Sequence, residues 1–237
     1  MNKDIFSLDN KVVIITGAAG LLGQQHADAV ASFGGTPILI DIAEGPLKKL
    51  ERELNHKYAI DSISYVVNIS NEEEIQQNYN AIIKRFPKID ALVNNAANNP
   101  KVEDKSVENF SRLENFTIDD WNTDLAVGLT GAFLCAKYYG KAISKNPKGG
   151  SIINISSDLG LIGPDQRLYE KSELTKDNQP VKPVSYSVIK HGLIGLTKYL
   201  ATYWADRGVR CNALCPGGIY TGQSKEFVEK LTDLIPL

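Results

Sequence analysis

The sequence predicts an α/β fold: a doubly wound parallel sheet with helices on both faces. Three observations predict it. Six short apolar runs rich in Val and Ile recur along the chain, each ends in or near Gly, Asp, Asn or Ser, and longer stretches of helical periodicity separate most of them. Runs without polar alternation are those of strands buried on both faces, and strands separated by helices need crossover connections, which make the sheet parallel.

The elements follow in order. "KVVIITG" (11–17) is the first strand, and apolar spacing over 21–33 the first helix. "TPILID" (36–41), a helix over 46–57 and "SISYVVN" (62–68) come next. Helix 72–86 has Ser70 and Glu73 at capping-box spacing before it, and "DALVNNA" (90–96) follows. Helix 118–144 has Thr117 and Asp120 at the same spacing. "GSIINIS" (150–156), a helix over 184–206 with Gly208 as its stop, and "GVRCNAL" (208–214) complete the alternation. Residues 97–116 and 160–183 break the rhythm and read as insert loops within one domain spanning 1–237.

Composition narrows the function. With 237 residues, 43% hydrophobic and 23% charged, the chain has enough apolar material for a full core. Lys and Arg number 26 against 28 acids, and the basic residues are scattered, so nucleic acid is not an expected partner. The N-terminal "MNKDIFSLDNK" lacks the apolar core of a signal peptide, and no apolar run approaches the roughly 18 residues of a membrane span. No membrane association and a cytoplasmic location are expected. Cys135, Cys211 and Cys215 read as reduced structural thiols. His26, His56 and His191 lack clustered acidic or cysteine partners, so no metal site is expected.

In a doubly wound sheet, ligands collect outside the carboxyl ends of the strands, where strand order reverses. Gly17, Asp41, Asn94, Ser156 and Ser157 all fall on that rim. "TGAAGLLG" leaves a strand and opens a helix, with Gly17, Gly20 and Gly23 allowing a tight turn and close approach of a pyrophosphate to the exposed N–H groups. Asp41, at the end of the second strand, is placed to accept hydrogen bonds from ribose hydroxyls and to repel a 2′-phosphate, so NAD is expected over NADP. In "SYSVIKHG", Tyr186 and Lys190 are four residues apart and share one helix face. A free phenol titrates near 10, and the adjacent ammonium is expected to lower that, making Tyr186 a proton-exchanging group. The serines of "NISS" stand where a hydroxyl would meet the same substrate oxygen.

Taken together in this order, "TGAAGLLG", "NNAA", "NISS", "YSVIK" and "NALCPGGIYTG" resemble the short-chain dehydrogenase/reductase family from about Asn10 to Thr221. The resemblance implies a Rossmann-type fold and a hydride moved between a nicotinamide and a substrate carbon. It implies Ser157 orienting the substrate oxygen, Tyr186 as acid/base, and Lys190 lowering its pKa and holding the nicotinamide ribose. Gly17, Gly20, Leu22, Gly23, Asp41, Asn68, Ile69, Asn95, Ala96, Tyr186, Lys190, Pro216, Gly217, Ile219 and Thr221 would contact the cofactor, with Thr221 near the carboxamide. Asn94 and its neighbours would support the central strand and border the adenine-ribose side, while Asn98, Asn99 and Pro100 would begin a loop over the substrate. A homodimer or homotetramer is implied if the full C-terminus is present.

The sequence departs from the family pattern in four places. Leu21 stands where compact members have a middle glycine, and the resulting spacing is that of the longer, sugar-nucleotide-modifying branch. Ala97 replaces the glycine of N-N-A-G, and Gly128 falls where the family has a catalytic asparagine. The chain also ends before the family's last helix and strand, which would leave an exposed apolar sheet edge.

Between Ser157 and Tyr186 lie 28 residues, more than compact members carry, and this insert is polar, with Asp165, Gln166, Arg167, Tyr169 and Glu170. That composition points to a polyhydroxylated, sugar-like substrate, with Arg167 as the anchor if it is phosphorylated. A solvated surface excursion is the other reading. The insert also resembles that of oxidoreductases of flagellin-modifying sugar pathways. Three function classes follow: an NAD-dependent oxidoreductase interconverting a secondary alcohol and a ketone, a sugar epimerase or dehydratase using NAD transiently, and a non-catalytic NAD-binding protein.

Overall fold

Six parallel strands in the order β3-β2-β1-β4-β5-β6 form the centre of the computed structural model, which describes residues 5–98 and 111–235. The strands are β1 (Val12–Thr16), β2 (Thr36–Asp41), β3 (Ile63–Val66), β4 (Ala91–Asn94), β5 (Gly150–Ile155) and β6 (Val209–Leu214). All six lie within the runs expected from the sequence. Strand order reverses between β1 and β4, whose register pairs Val13 with Ala91 and Ile15 with Val93. The first crossover therefore leaves β1 in one direction and the fourth strand returns on its other side, opening a crevice at the carboxyl rim between them.

Successive strand residues face opposite layers. Val13 and Ile15 of β1 and Leu39 of β2 pack with Ala27, Val30 and Ala31 of α1 (Leu21–Ser32) and Leu47, Leu50 and Leu54 of α2 (Glu44–Tyr58). Val12, Ile14, Ile38 and Ile40 point the other way. They meet Ile75 and Ile82 of α3 (Glu72–Arg85), Leu134 and Cys135 of α5 (Gly131–Cys135), Ile143 of α6 (Lys141–Ile143) and Leu200 of α7 (Val184–Tyr203). The short helix α4 (Ile118–Leu125) runs into α5 and α6 through two π turns, Ala126–Thr130 and Ala136–Gly140, and α8 (Lys225–Thr232) follows β6. No helix among the described residues is long and apolar enough to cross a membrane. Strand β6 forms one edge of the sheet, with Leu214 half exposed.

Two helix starts test the capping expectations. Thr117 accepts from the Asp120 amide at 3.0 Å, as its spacing predicts. Ser70 does not cap α3. Asn71, directly before the first helical residue, accepts from the Glu73 and Glu74 amides, while Ser70 donates to Asn68 Oδ1 at 2.7 Å.

The glycine at 128 sits in the first π turn, where α7 comes closest. A Cβ there would stand 2.7 Å from Ile189 Cγ2, so the space a side chain would take is filled by Ile189. Gly128 thus packs closely against α7 within a locally wider turn.

A buried amide ladder ties the sheet to α7. Asn94 Nδ2 donates to Asn154 Oδ1 at 2.8 Å, and Asn154 Nδ2 donates to Thr197 Oγ1 at 2.8 Å. All three residues are buried. Replacing Asn154 by leucine takes one hydrogen bond from each neighbour, leaving Asn94 Nδ2 with the Ala132 carbonyl at 3.4 Å and Thr197 Oγ1 with the Leu193 carbonyl, and each buried hydrogen bond lost costs on the order of 1 kcal/mol. We expect the urea midpoint of N154L to fall with an unchanged slope. An unshifted midpoint would mean that the ladder contributes nothing net.

Candidate active site

At the carboxyl rim the chain walls a cavity of about 690 Å³, running from Asp41 at one end to Ser157 and Tyr186 at the other. Gly17 adopts φ +62°, which only glycine takes without strain, and a Cβ there would meet Ala96 Cα at 2.7 Å. Gly20 caps α1 with no side-chain hydrogen bond and no acid in the first turn, unlike α3 and α4. Gly23 does not line the cavity. A Cβ on it would fall 2.1 Å from the Gly17 carbonyl oxygen, so its role is to let α1 approach the loop.

Asp41 fixes the other side of this loop. Its Oδ2 accepts from the Ala19 amide at 2.9 Å and its Oδ1 from the Ala43 amide at 3.0 Å. The carboxylate is thus held at the cavity wall beside the glycine turn. Asn68 and Ile69, after β3, line the same region, as do Leu22, Asn95 and Ala96.

The asparagine cluster "NNAANN" divides its work by pleat. Asn94 faces into the layer beneath the sheet and does not line the cavity, so its expected place beside the adenine ribose is not supported by its contacts. Asn95 turns toward the rim, its Nδ2 donating to the Thr16 and Gly17 carbonyls at 3.0 and 3.1 Å. Thr16 Oγ1 in turn accepts from the Asn95 and Ala96 amides. This lattice joins the end of β4 to the glycine loop at the strand-order reversal. Ala97 has no positive φ, so its replacement of glycine carries no backbone strain. Ala97 and Asn98 line the cavity, whereas Asn99 and Pro100 lie outside the described residues.

Ser157, Tyr186 and Lys190 converge at the far end. Lys190 Nζ donates to the Ile155 carbonyl at 2.8 Å and stands 5.5 Å from the centre of the Tyr186 ring. Ser157 is within hydrogen-bonding reach of the phenol, and its Oγ donates to Asp158 Oδ1 at 2.7 Å. The expectation that Tyr186 titrates below its usual value does not hold for the protein alone. Burial pushes the phenol up, the Ser157 interaction pulls it down, and the Asp158 charge pushes it up further. Burial also lowers Lys190 to about 8, with repulsion from Lys182 adding to it.

Lys182 is the feature the sequence reading missed. It precedes Tyr186 by four residues, just as Lys190 follows by four, and its Nζ lies 3.7 Å from the ring centre. Burial lowers it to about 8, opposed by the Asp158 charge. Its signal was the Lys-x-x-x-Tyr-x-x-x-Lys spacing, but Lys182 stands before the helix start, where that periodicity does not apply.

The insert over 160–183 is a wall of the cavity. Leu168, Tyr169 and Lys182 line it, and Tyr169 packs on Phe227 of α8 with ring centres 5.6 Å apart. Gln179 closes the loop on itself through Lys171 and Leu174, and Val181 N donates to Ser111 Oγ at 3.1 Å. The expected anchor Arg167 takes no part. It forks onto Asp165, its side chain is 77% exposed, and it does not line the cavity. Pro216, Gly217, Ile219 and Thr221 line the opposite wall, with the Thr221 amide donating to Gln223 Oε1 at 2.7 Å. The described residues contain no group of three or more potential metal ligands.

Comparison with known proteins identifies the lineage. A family profile described as enoyl-(acyl carrier protein) reductase matches residues 17–235. A short-chain dehydrogenase/reductase of Botryotinia fuckeliana is 35% identical over 216 residues, covering 91% of this chain and 74% of the relative. The chain belongs to the short-chain dehydrogenase/reductase family. Like its named dehydrogenase relatives in that family, it is an oxidoreductase acting on CH–OH groups. Among members of the family, an NADP-dependent mannitol dehydrogenase of Alternaria alternata is 33% identical over 230 residues, covering 95% of this chain and 76% of its own. The solved structure of an NAD⁺-bound xylitol dehydrogenase superposes with a TM-score of 0.75 at 25% identity, over 97% of this chain and 78% of that one.

Proposed function

We propose that this short-chain dehydrogenase/reductase interconverts a secondary alcohol and a ketone on a polyhydroxylated substrate, with NAD preferred over NADP. The observation that carries the reading is one continuous cavity with Ser157, Tyr186 and Lys190 at one end and the glycine turn with Asp41 at the other. The cradle fits a dinucleotide, since any Cβ at Gly17 or Gly23 would collide with backbone. Gly17, Gly20 and the first amides of α1 would hold its pyrophosphate. Asp41 would hold the adenosine ribose, and Asn95, Lys190, Pro216, Gly217, Ile219 and Thr221 the nicotinamide half. When bound, the nicotinamide supplies the hydride donor or acceptor.

Tyr186 exchanges the proton. In ketone reduction its phenol donates to the carbonyl oxygen while Ser157 hydrogen-bonds the same oxygen as negative charge develops there. In oxidation the phenolate takes the hydroxyl proton, and Lys190 stabilises the anion. Because burial holds the phenol protonated through the neutral range, we expect reduction rates to be flat near neutrality and oxidation rates to rise with pH. Initial rates in both directions between about pH 6 and 10 check this, and an oxidation rate that falls with pH would contradict it.

Polyhydroxylated substrates are favoured by the polar groups at the reactive end, Asp158, Lys182, Thr221 and Gln223, and by the relatives named for polyols. An acyl chain, which the name of the family profile raises, would meet the charged Asp158 and Lys182 at that end. The sugar epimerase reading rests on the glycine spacing alone. A cytoplasmic location and a homodimeric or homotetrameric assembly belong to the same reading, and light scattering tests the latter.

Incubating the protein with xylitol, D-mannitol and D-threitol, each with NAD and with NADP, is expected to yield NADH from at least one polyol. Turnover by none of them would count against the substrate class. In Asp41→Asn the charge that repels a 2′-phosphate is gone, so the NAD-over-NADP ratio of kcat/KM should fall by about tenfold or more. An unchanged ratio would remove Asp41 from cofactor selection.

A further inference from the structure

The carboxylate beside the catalytic serine has one oxygen occupied. Asp158 Oδ1 accepts from Ser157 Oγ at 2.7 Å and from the Leu159 amide at 2.8 Å. Oδ2 is turned to the cavity. Asp158 lines it, a Cβ on Gly217 of the facing wall would stand 3.8 Å from Oδ2, and no described residue donates to that oxygen. Because both oxygens sit on one carboxyl carbon, Oδ2 lies close to wherever Ser157 holds the reacting oxygen.

The insert brings a phenol to the same place. Tyr169 lines the cavity, packed on Phe227 of α8, and the Asp158 charge acts on its hydroxyl as it does on that of Tyr186. Burial pushes Tyr169 up to about 12, with the charges of Tyr186 and Asp158 acting in the same direction, so the hydroxyl stays protonated near neutrality. Asp158 thus presents an acceptor and Tyr169 a donor. A substrate hydroxyl matches both, giving its proton to Asp158 and accepting that of Tyr169. A carboxylate has no proton for Asp158 and is repelled by it, while an ammonium cannot accept from the phenol and adds a cation beside Lys190.

We propose that Asp158 and Tyr169 together hold the hydroxyl on the carbon next to the reacting one, so that the enzyme selects vicinal diols over alcohols whose other hydroxyl is absent or more distant. This assignment rests on the secondary-alcohol reading above and specifies its substrate class. It also gives the insert over 160–183 a part in substrate choice that the exposed Arg167 does not play.

The test is calorimetric binding to the NADH-saturated protein of 2,3-butanediol, 1,3-butanediol and 2-butanol, each stereoisomer separately. The expected result is that at least one stereoisomer of 2,3-butanediol binds about tenfold or more tightly than every form of the other two. In Tyr169→Phe, which keeps the ring on Phe227, that advantage should shrink by about fivefold, and in Asp158→Asn, which removes the charge, it should be lost. A vicinal diol that binds no better than 2-butanol, or no measurable binding of any of them, would overturn the proposal. An advantage that either variant retains in full would do the same. Because binding is read without turnover, failure of the dehydrogenase reading shows separately, as no NADH from the diols with NAD while the binding advantage still depends on both residues.

Discussion

Replacing Tyr186 by phenylalanine is expected to lower kcat for alcohol oxidation by about a thousandfold, within the range that a positioned acid/base contributes. The ring stays, so its packing and the cation contacts at 3.7 and 5.5 Å are retained, and only the exchangeable proton is lost. Cofactor affinity should therefore change little, and the thermal midpoint should hold. This separates chemistry from folding, which Lys190 substitutions cannot do, because the Lys190 ammonium also bonds the Ile155 carbonyl. Steady-state kinetics with NADH-fluorescence titration read both quantities. A Y186F protein that turns over at a tenth of the wild-type rate or faster would place the proton transfer elsewhere.

Valine at Gly23 is expected to abolish dinucleotide binding and to destabilise the fold. The first added carbon would fall 2.1 Å from the Gly17 carbonyl oxygen and 2.7 Å from Ala18 Cα, both backbone atoms that no rotamer change can move aside. Either α1 moves away from β1 or the glycine turn opens. The first breaks the contacts of Ala27, Val30 and Ala31 with the sheet, and overpacking of this kind costs about 1–3 kcal/mol. The second removes the cradle itself. Gly45→Ala in α2 is the control, because nothing lies within 4 Å of its Cβ and it does not line the cavity. Thermal unfolding with and without NAD should show G23V melting lower and gaining nothing from the cofactor. A G23V protein stabilised by NAD as much as wild type would sink this account of the loop.

The sheet was legible because strands buried on both faces need continuous apolar runs, as β1 and β2 have, whereas the edge strands β3 and β6 mix buried residues with more exposed ones. The split of "NNAANNP" was not legible, since neighbouring residues at a strand end face opposite layers and the sequence does not say which faces the rim. Asn94 joined the interior ladder and Asn95 the glycine loop. Tyr186 and Lys190 were found by spacing, but spacing reveals a neighbouring ammonium and not the burial that outweighs it. Arg167 looked like an anchor because its charge was visible, while Asp165, which occupies it, sits only two residues away. Lys182 was hidden for the reverse reason: the turn that brings it over the ring lies before the helix begins. Gly23 was assigned to the cofactor on its motif; it does not line the cavity, and its close packing on the Gly17 carbonyl comes from a fold contact that the motif does not spell out.

The central claim is that proton exchange at Tyr186 accompanies net redox transfer to a dinucleotide lying along the rim from Asp41 to Ser157. Its most direct measurement is the ratio of NADH accumulated to ketone formed as a polyol is oxidised. The account predicts one NADH per ketone, lost in Y186F. Product formed with no net NADH would mean transient use of the cofactor, as in an epimerase or dehydratase, and would contradict it.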